Sequence, residues 1–342
     1  MSKRTRRGRL IVDPVHNRFV AEGVPKHRRT EIAPSGLLKP LEPVVVGELA
    51  RRHKDLLSEL RGALGDPYFA EPGFILYCGD SEHFLARLGT TTIRVDLTLT
   101  SPPYNIGKEY EGPLRVRDYL DWCSRWMTQI FHATTPKGVF WLNLGYLEVP
   151  GRGLCVPISY LLWDRSPFYL LQEVVWHYGA GVTARRRFSP RNEKWLFYAK
   201  DATSYTFNLD TVRDPNVKYP NQKKKGKYRC NPLGKNPSDV WEVPKVTTGQ
   251  NRSSRERTPH PAQFPLPVVE RIIEVSSNPL DLVLDPFAGS ASSGIAASAL
   301  GRLFLGIEIR EEYCALAVSR YKEFAKVKSE LQRQVTLFPI TD

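Results

Sequence analysis

The chain has 342 residues, 41% of them hydrophobic, and a net charge of +13. That suffices for one large α/β domain with insertions or for two smaller domains, and no apolar run reaches the ~18 residues that a bilayer span requires. Cys78, Cys123, Cys155, Cys230 and Cys314 are scattered singly, with no CxxC pair, which argues for a reducing compartment and against a disulfide framework or a metal site.

Residues 1–40 form a basic N-terminal arm with scattered Pro and Gly and no sustained period. The start, Met1-Ser2-Lys3-Arg4, has no apolar stretch behind it and does not read as a secretory signal. Val45, Leu49, Leu56, Leu57 and Leu60 predict an amphipathic helix over 44–63. Phe74 to Cys78 reads as a strand ended by Gly79-Asp80, followed by helical spacing at Phe84, Leu85 and Leu88. Ile93 to Leu99 is the next strand, and Tyr119, Trp122, Trp126, Met127 and Ile130 make a helical core stripe. A strand at Val139–Asn143, a helix around 155–164, a strand around 171–177 and another at Trp195–Ala199 continue the alternation. The pattern predicts a mostly parallel sheet with helices on both faces.

From 201 to 258 the alternation breaks into a polar, basic insert dotted with aromatics. It then resumes with a helix at Val268–Val275, a strand at Leu282–Leu284, a helix at Ser292–Leu300, a strand at Leu303–Ile307 and a last helix from Glu311. The charge is localised: residues 1–30 are net +7 and residues 201–260 net +6, the whole excess. Two basic segments flanking a neutral body suggest a polyanion, most simply nucleic acid, although a basic tail and a solvated loop would look the same.

Two stretches carry chemistry. The strand at 93–99 runs into Ser101-Pro102-Pro103-Tyr104. Consecutive prolines remove two backbone donors and hold the chain extended, so a hydroxyl, a free carbonyl and an aromatic face are presented at a strand's C-terminal end, where open α/β sheets bind ligands. Asp285-Pro286-Phe287-Ala288-Gly289-Ser290 lies between a strand and a helix of small residues. Small residues let a ligand approach the backbone, and the helix N-terminus offers unpaired N–H groups. The next strand ends in Glu308, the usual place for a carboxylate that binds ribose.

Together these motifs resemble the S-adenosylmethionine-dependent amino-methyltransferases of DNA. The catalytic tetrapeptide precedes the basic insert and the cofactor turn comes last, an order similar to the permuted β group. Tyr77-Cys78-Gly79-Asp80, Arg191-Asn192-Glu193-Lys194-Trp195 and His260-Pro261-Ala262-Gln263-Phe264-Pro265 add to the resemblance, which covers roughly residues 74–325. A serine at position 101 is most like the cytosine-N4 type; adenine-N6 enzymes more often carry Asp or Asn there. Such cofactor turns often read Gly-x-Gly, whereas Ala291 follows Gly289-Ser290 here, which a negative φ at Ala291 would tolerate.

The resemblance implies a single Rossmann-like α/β domain of the seven-stranded type, split as residues 41–200 and 259–342 around a target-recognition insert at 201–258. It implies S-adenosylmethionine as cofactor, held by Asp80, His260, Pro261, Gln263, Phe264, Asp285, Pro286, Phe287, Ala288, Gly289, Ser290 and Glu308. Ser101, Pro102, Pro103 and Tyr104 would act on a flipped base, the serine hydroxyl and the Pro102 carbonyl accepting the two amine N–H bonds and Tyr104 stacking. His260 could instead cap the helix after it, and Asp80 could be a turn residue. Lys223, Lys224, Lys225, Lys227, Tyr228 and Arg229 would contact phosphate, and Arg252, Arg255 and Arg257 guanine edges. Double-stranded DNA is the expected partner, with a homodimer and a cognate restriction endonuclease as further expectations. A prokaryotic, cytoplasmic, nucleoid-associated protein is expected. The alternatives are an adenine-N6 enzyme and a nucleic-acid-binding protein without catalysis.

Overall fold

In the computed structural model, residues 10–13, 18–21, 39–107, 112, 114–179, 183–246 and 256–337 are described. Among these described residues, nine strands form one sheet. In chain order they are β1 (Phe69–Glu71), β2 (Phe74–Cys78), β3 (Val95–Thr100), β4 (Thr134–Leu144), β5 (Tyr169–His177), β6 (Asn192–Ala199), β7 (Val240–Glu242), β8 (Leu282–Asp285) and β9 (Leu303–Glu308). Their spatial order is β7-β5-β6-β4-β3-β8-β9-β2-β1. Only β1 and β6 run antiparallel to the rest. The sheet therefore keeps the expected parallel body and adds edge strands at each side.

Side chains alternate across the sheet, as the period of a strand requires. On one face, Leu97, Leu99, Trp141 and Trp195 pack with Val268, Val269, Ile272 and Ile273 of α5 (Leu266–Ser276) and with Ile295 and Ala296 of α6 (Ser292–Ala299). On the other, Ile75, Tyr77, Phe140 and Leu305 meet Leu49 and Leu60 of α1 (Pro43–Leu64), Leu85 of α2 (Ser81–Leu88) and Trp126 and Ile130 of α3 (Val116–Ala133). Strand β3 leads through α3 to β4 on one side, and β8 leads through α6 to β9 on the other. The winding reverses between β3 and β8, and a crevice opens at their C-terminal ends.

Several local readings differ. Instead of one helix over 155–164, Gly153–Pro157 pairs antiparallel with Tyr146–Val149 and only α4 (Ser159–Leu162) is helical; Pro157 has no donor for a helix through it. Within the first forty residues, Leu10–Asp13 pairs antiparallel with Arg18–Ala21. In the basic insert, Lys223–Lys224 and Lys227–Tyr228 form a tight hairpin, and Val240–Glu242 returns to the sheet edge beside β5. Ala291 has φ +55°, not a negative value, because it caps α6 at the sharp turn out of β8. A left-handed alanine costs about 1–2 kcal/mol. The final helix runs Glu311–Leu337. Among the described residues no helix is long and apolar enough to cross a membrane.

Trp126 is fully buried between Phe140 and Phe287, the latter in the turn after β8. Trp126→Ala is expected to destabilise the fold by about 3–5 kcal/mol, read as a lower urea midpoint.

Candidate active site

The crevice at the reversal point is a cleft of about 340 Å³. Its floor is organised by Asp285, at the end of β8 and 2% exposed. One carboxylate oxygen accepts from the Thr100 hydroxyl at 2.6 Å and the Phe287 N–H at 3.1 Å, and the other from the Ser293 hydroxyl at 2.5 Å. Thr100 is the last residue of β3, one position before Ser101. A single buried carboxylate thus joins the two motif-bearing strand ends to the start of α6. Burial pushes its pKa up to about 6, against the opposing pull of the Ser293 and Thr100 hydroxyls.

At one end of the cleft, Glu308 closes β9. Its carboxylate accepts from the Gly289 and Arg310 N–H groups, each at 2.9 Å. Burial raises its pKa and these backbone donors lower it. Two backbone donors leave lone pairs on a fixed carboxylate, which suits hydroxyl donors such as those of a ribose. Gly289 has φ +52°, and a Cβ there would lie 2.7 Å from His260 Nε2. The glycine is required by both torsion and close approach. His260 does not cap α5, which begins after Pro265; its ring stands edge-on to Tyr313 at 4.5 Å. Small, buried Ala288 and Ser290 leave the cleft open beside them. Asp80 caps α2 by accepting from the His83 N–H at 3.0 Å, the turn role, and also lines the cleft. The donor set and this open turn fit a nucleoside-bearing cofactor.

Pro261, Gln263, Phe264 and Phe287 also line the cleft. The Gln263 amide is engaged inside its own loop, accepting from Thr258 and donating to the Glu256 carbonyl. Phe264 leans on Trp195 at 5.0 Å. Pro286 is not among the lining residues, and its carbonyl accepts from the Ser81 hydroxyl.

At the other end stand Ser101, Pro102, Pro103 and Tyr104. The Ser101 hydroxyl donates to the Tyr104 oxygen at 3.0 Å, and Tyr104 in turn donates to Asn143 Oδ1 at 2.7 Å. The Tyr104 ring packs against Gly145, where a Cβ would come within 2.8 Å of it. The Pro103 carbonyl accepts from the Tyr119 hydroxyl at 2.8 Å. The Pro102 carbonyl accepts no hydrogen bond among the described residues. Just beyond, Asn105 in the left-handed region clasps Leu114 through both its side-chain oxygen and nitrogen.

Sequence reasoning missed three polar groups here. Asn143 lies inside an apolar strand, Glu193 within the Arg191–Trp195 stretch, and Lys245 in the basic insert. Glu193 and Lys245 meet at 2.5 Å in the cleft. Burial of a polar residue in an apolar strand was the available signal for Asn143. Of the residues expected to touch DNA, Lys223, Lys224, Lys225, Lys227, Tyr228 and Arg229 lie on or beside the exposed hairpin, away from the cleft lining. Arg257 is exposed, and Arg252 and Arg255 lie outside the described residues.

A doubly wound sheet with a cleft at its reversal point defines a Rossmann-like α/β fold. Superposition agrees: a solved PvuII DNA methyltransferase (cytosine-N4-specific) matches with TM-score 0.58 and 18% identity, covering 78% of this chain and 95% of that one. Residues 95–319 match the family model described as DNA methylase, the N6/N4 methyltransferases. The chain belongs to this family of S-adenosylmethionine-dependent DNA amino-methyltransferases. It is 56% identical over 270 residues to the Type II methyltransferase M.ScaI of Streptomyces caespitosus, covering 79% of this chain and 88% of the relative. It is 33% identical to the DNA adenine methyltransferase YhdJ of Escherichia coli K12, covering 68% and 81%.

Because the folded-state pKa of Asp285 lies above the ordinary 3.8, its contribution favours the folded protein below about pH 4 and is lost as pH rises through about 6. Relative to Asp285→Asn, the wild type should lose stability across that window, measured by denaturant melts from about pH 4 to pH 7. A pH-independent difference would contradict the assignment.

Proposed function

We propose that this enzyme transfers the methyl group of S-adenosylmethionine to the exocyclic N4 of cytosine in double-stranded DNA. The observation that carries the reading is the acceptor pair at the end of β3. The Ser101 hydroxyl has its proton engaged by Tyr104 at 3.0 Å, so its lone pairs face outward as an acceptor. The Pro102 carbonyl offers a second acceptor one residue on. An aromatic amine has two N–H donors and a lone pair delocalised into the ring. Two fixed acceptors favour a pyramidal nitrogen and aim its lone pair, a stabilisation greater in the transition state than in the ground state.

S-adenosylmethionine supplies an electrophilic methyl on a sulfonium. Transfer of that methyl to the amine would leave S-adenosylhomocysteine and a proton released to solvent, with no covalent enzyme intermediate, so the part of Ser101 and Pro102 is to hold and orient the amine. A target nitrogen inside a duplex is out of reach, so the base must leave the stack. The exposed Lys223–Tyr228 hairpin suits the DNA backbone, since the major groove admits a two-stranded ribbon. Within the insert reading of residues 201–258, it is the element that meets DNA. Exposed Arg185, Arg186 and Arg187 with fully exposed Phe188 add a second basic, aromatic surface. The Type II class of M.ScaI supports a role as the protective half of a restriction-modification pair; a cognate endonuclease and a homodimer are the further partners in this reading. The adenine-N6 reading is favoured by one observation, the adenine activity in the name of YhdJ.

Two tests follow. Unmethylated genomic DNA incubated with enzyme and S-adenosylmethionine, digested and analysed by nucleoside mass spectrometry, should contain N4-methylcytosine. Ser101→Ala should lower the rate by about 10²–10³, as loss of one placed hydrogen-bonding group does; N6-methyladenine would overturn the base assignment. Glu308→Ala should weaken S-adenosylmethionine binding about ten- to a hundredfold, the value of a charge-assisted hydrogen bond, read by calorimetric titration. Unchanged affinity would remove Glu308 from the cofactor site.

A further inference from the structure

The cleft carries an ion pair that neither the cofactor end nor the acceptor pair accounts for. Lys245 follows β7, and Glu193 is the second residue of β6. Their side chains are 31% and 14% exposed, and Nζ lies 2.5 Å from Oε1. The ammonium sits 3.8 Å from the centroid of the Tyr178 ring and 5.7 Å from that of Trp176. The second Glu193 oxygen is 3.4 Å from the Tyr104 hydroxyl, the same hydroxyl that takes the Ser101 proton. One carboxylate thus spans from the lysine to the tetrapeptide.

Strand order separates this pair from the cofactor end. Glu308 closes β9, whereas Glu193 and Lys245 stand on the β6 and β7 side, with the ends of β3 and β8 between them. We propose that Lys245, held by Glu193, reads the ring edge of the flipped base by donating to cytosine N3 and O2. The inference rests on the cytosine reading above and deepens it.

The chemistry follows from the base. Cytosine presents N4, N3 and O2 along one edge: a donor, then two acceptors. Ser101 and Pro102 take the amine protons, so the rest of the edge needs donors. A lysine ammonium has three rotatable N–H groups and no acceptor. Here one hydrogen is engaged by Glu193, and two remain for the base. Adenine offers only N1 beside its amine and then a C–H, so it would leave one of those donors without a partner on the base. Glu193 fixes the direction of the ammonium and offsets the cost of holding a charge there. The Tyr178 and Trp176 faces complete a cationic seat.

The test uses the full-length enzyme on a duplex containing its mapped target site, with cytosine or 3-deazacytosine at the target. The deaza base lacks the N3 acceptor. It changes amine reactivity equally for every enzyme, so only the difference between enzymes counts. Lys245→Met should lower kcat/KM on cytosine about tenfold or more, with S-adenosylmethionine affinity unchanged. Wild type should lose at least as much on the deaza duplex beyond what Lys245→Met loses there. Glu193→Gln, which releases the lysine, should show the same non-additive pattern. Equal losses on the deaza duplex in wild type and both variants would overturn the role of Lys245. Wild type that forms only N6-methyladenine would instead overturn the cytosine reading on which it rests.

Discussion

The site depends first on the buried carboxylate of Asp285. Adjacent parallel strands β3 and β8 end together at the reversal point, but backbone pairing between them reaches only Leu97–Val283 and Thr98–Leu284. Beyond that register the two chains diverge toward their separate loops. Asp285 bridges the divergence by holding the Thr100 hydroxyl on one side and Ser293 and the Phe287 N–H on the other. A charged group buried this deeply is tolerated because it accepts three hydrogen bonds. The result is that the serine end and the Asp285–Ser290 turn are placed relative to each other by a rigid joint rather than by two loops.

A second constraint is directional. A serine hydroxyl is a useful acceptor only if its own proton is engaged elsewhere. The Tyr104 oxygen accepts from it and donates its own hydrogen bond to Asn143 Oδ1, and Asn143 Nδ2 in turn donates to the Lys194 carbonyl at 3.3 Å. Gly145 lets the Tyr104 ring settle close to the backbone. In the proposed reaction, this preorganisation lets the amine meet an acceptor already pointed at it, with little reorganisation when charge develops on nitrogen. The prolines contribute by what they lack, since neither they nor the strand supply a donor for the Pro102 carbonyl.

Most of the sheet was legible because its strands are apolar runs separated by amphipathic helices, and both periods survive in the residue order. Edges were less so. Phe69–Glu71 and Val240–Glu242 are three residues each, too short to show a period. Tyr146–Val149 and Gly153–Pro157 pair through a glycine turn inside a stretch whose apolar spacing mimics a helix. The left-handed Ala291 was unreadable because alanine seldom adopts that torsion; the turn imposes it. In the site, the tetrapeptide, the turn and Glu308 announce themselves as local motifs. Asn143, Glu193 and Lys245 do not, since they come from three separate segments and meet only once β4, β6 and β7 are brought into one sheet.

The central claim is that the Ser101 hydroxyl and the Pro102 carbonyl receive the two N–H bonds of a flipped cytosine amine. It is tested most directly by a crystal structure of the enzyme with its target duplex and S-adenosylhomocysteine. The account predicts an extrahelical cytosine whose N4 lies about 3 Å from both oxygens, the ordinary hydrogen-bond distance. A target base left stacked in the duplex, or an extrahelical base whose amine faces away from Ser101, would contradict it.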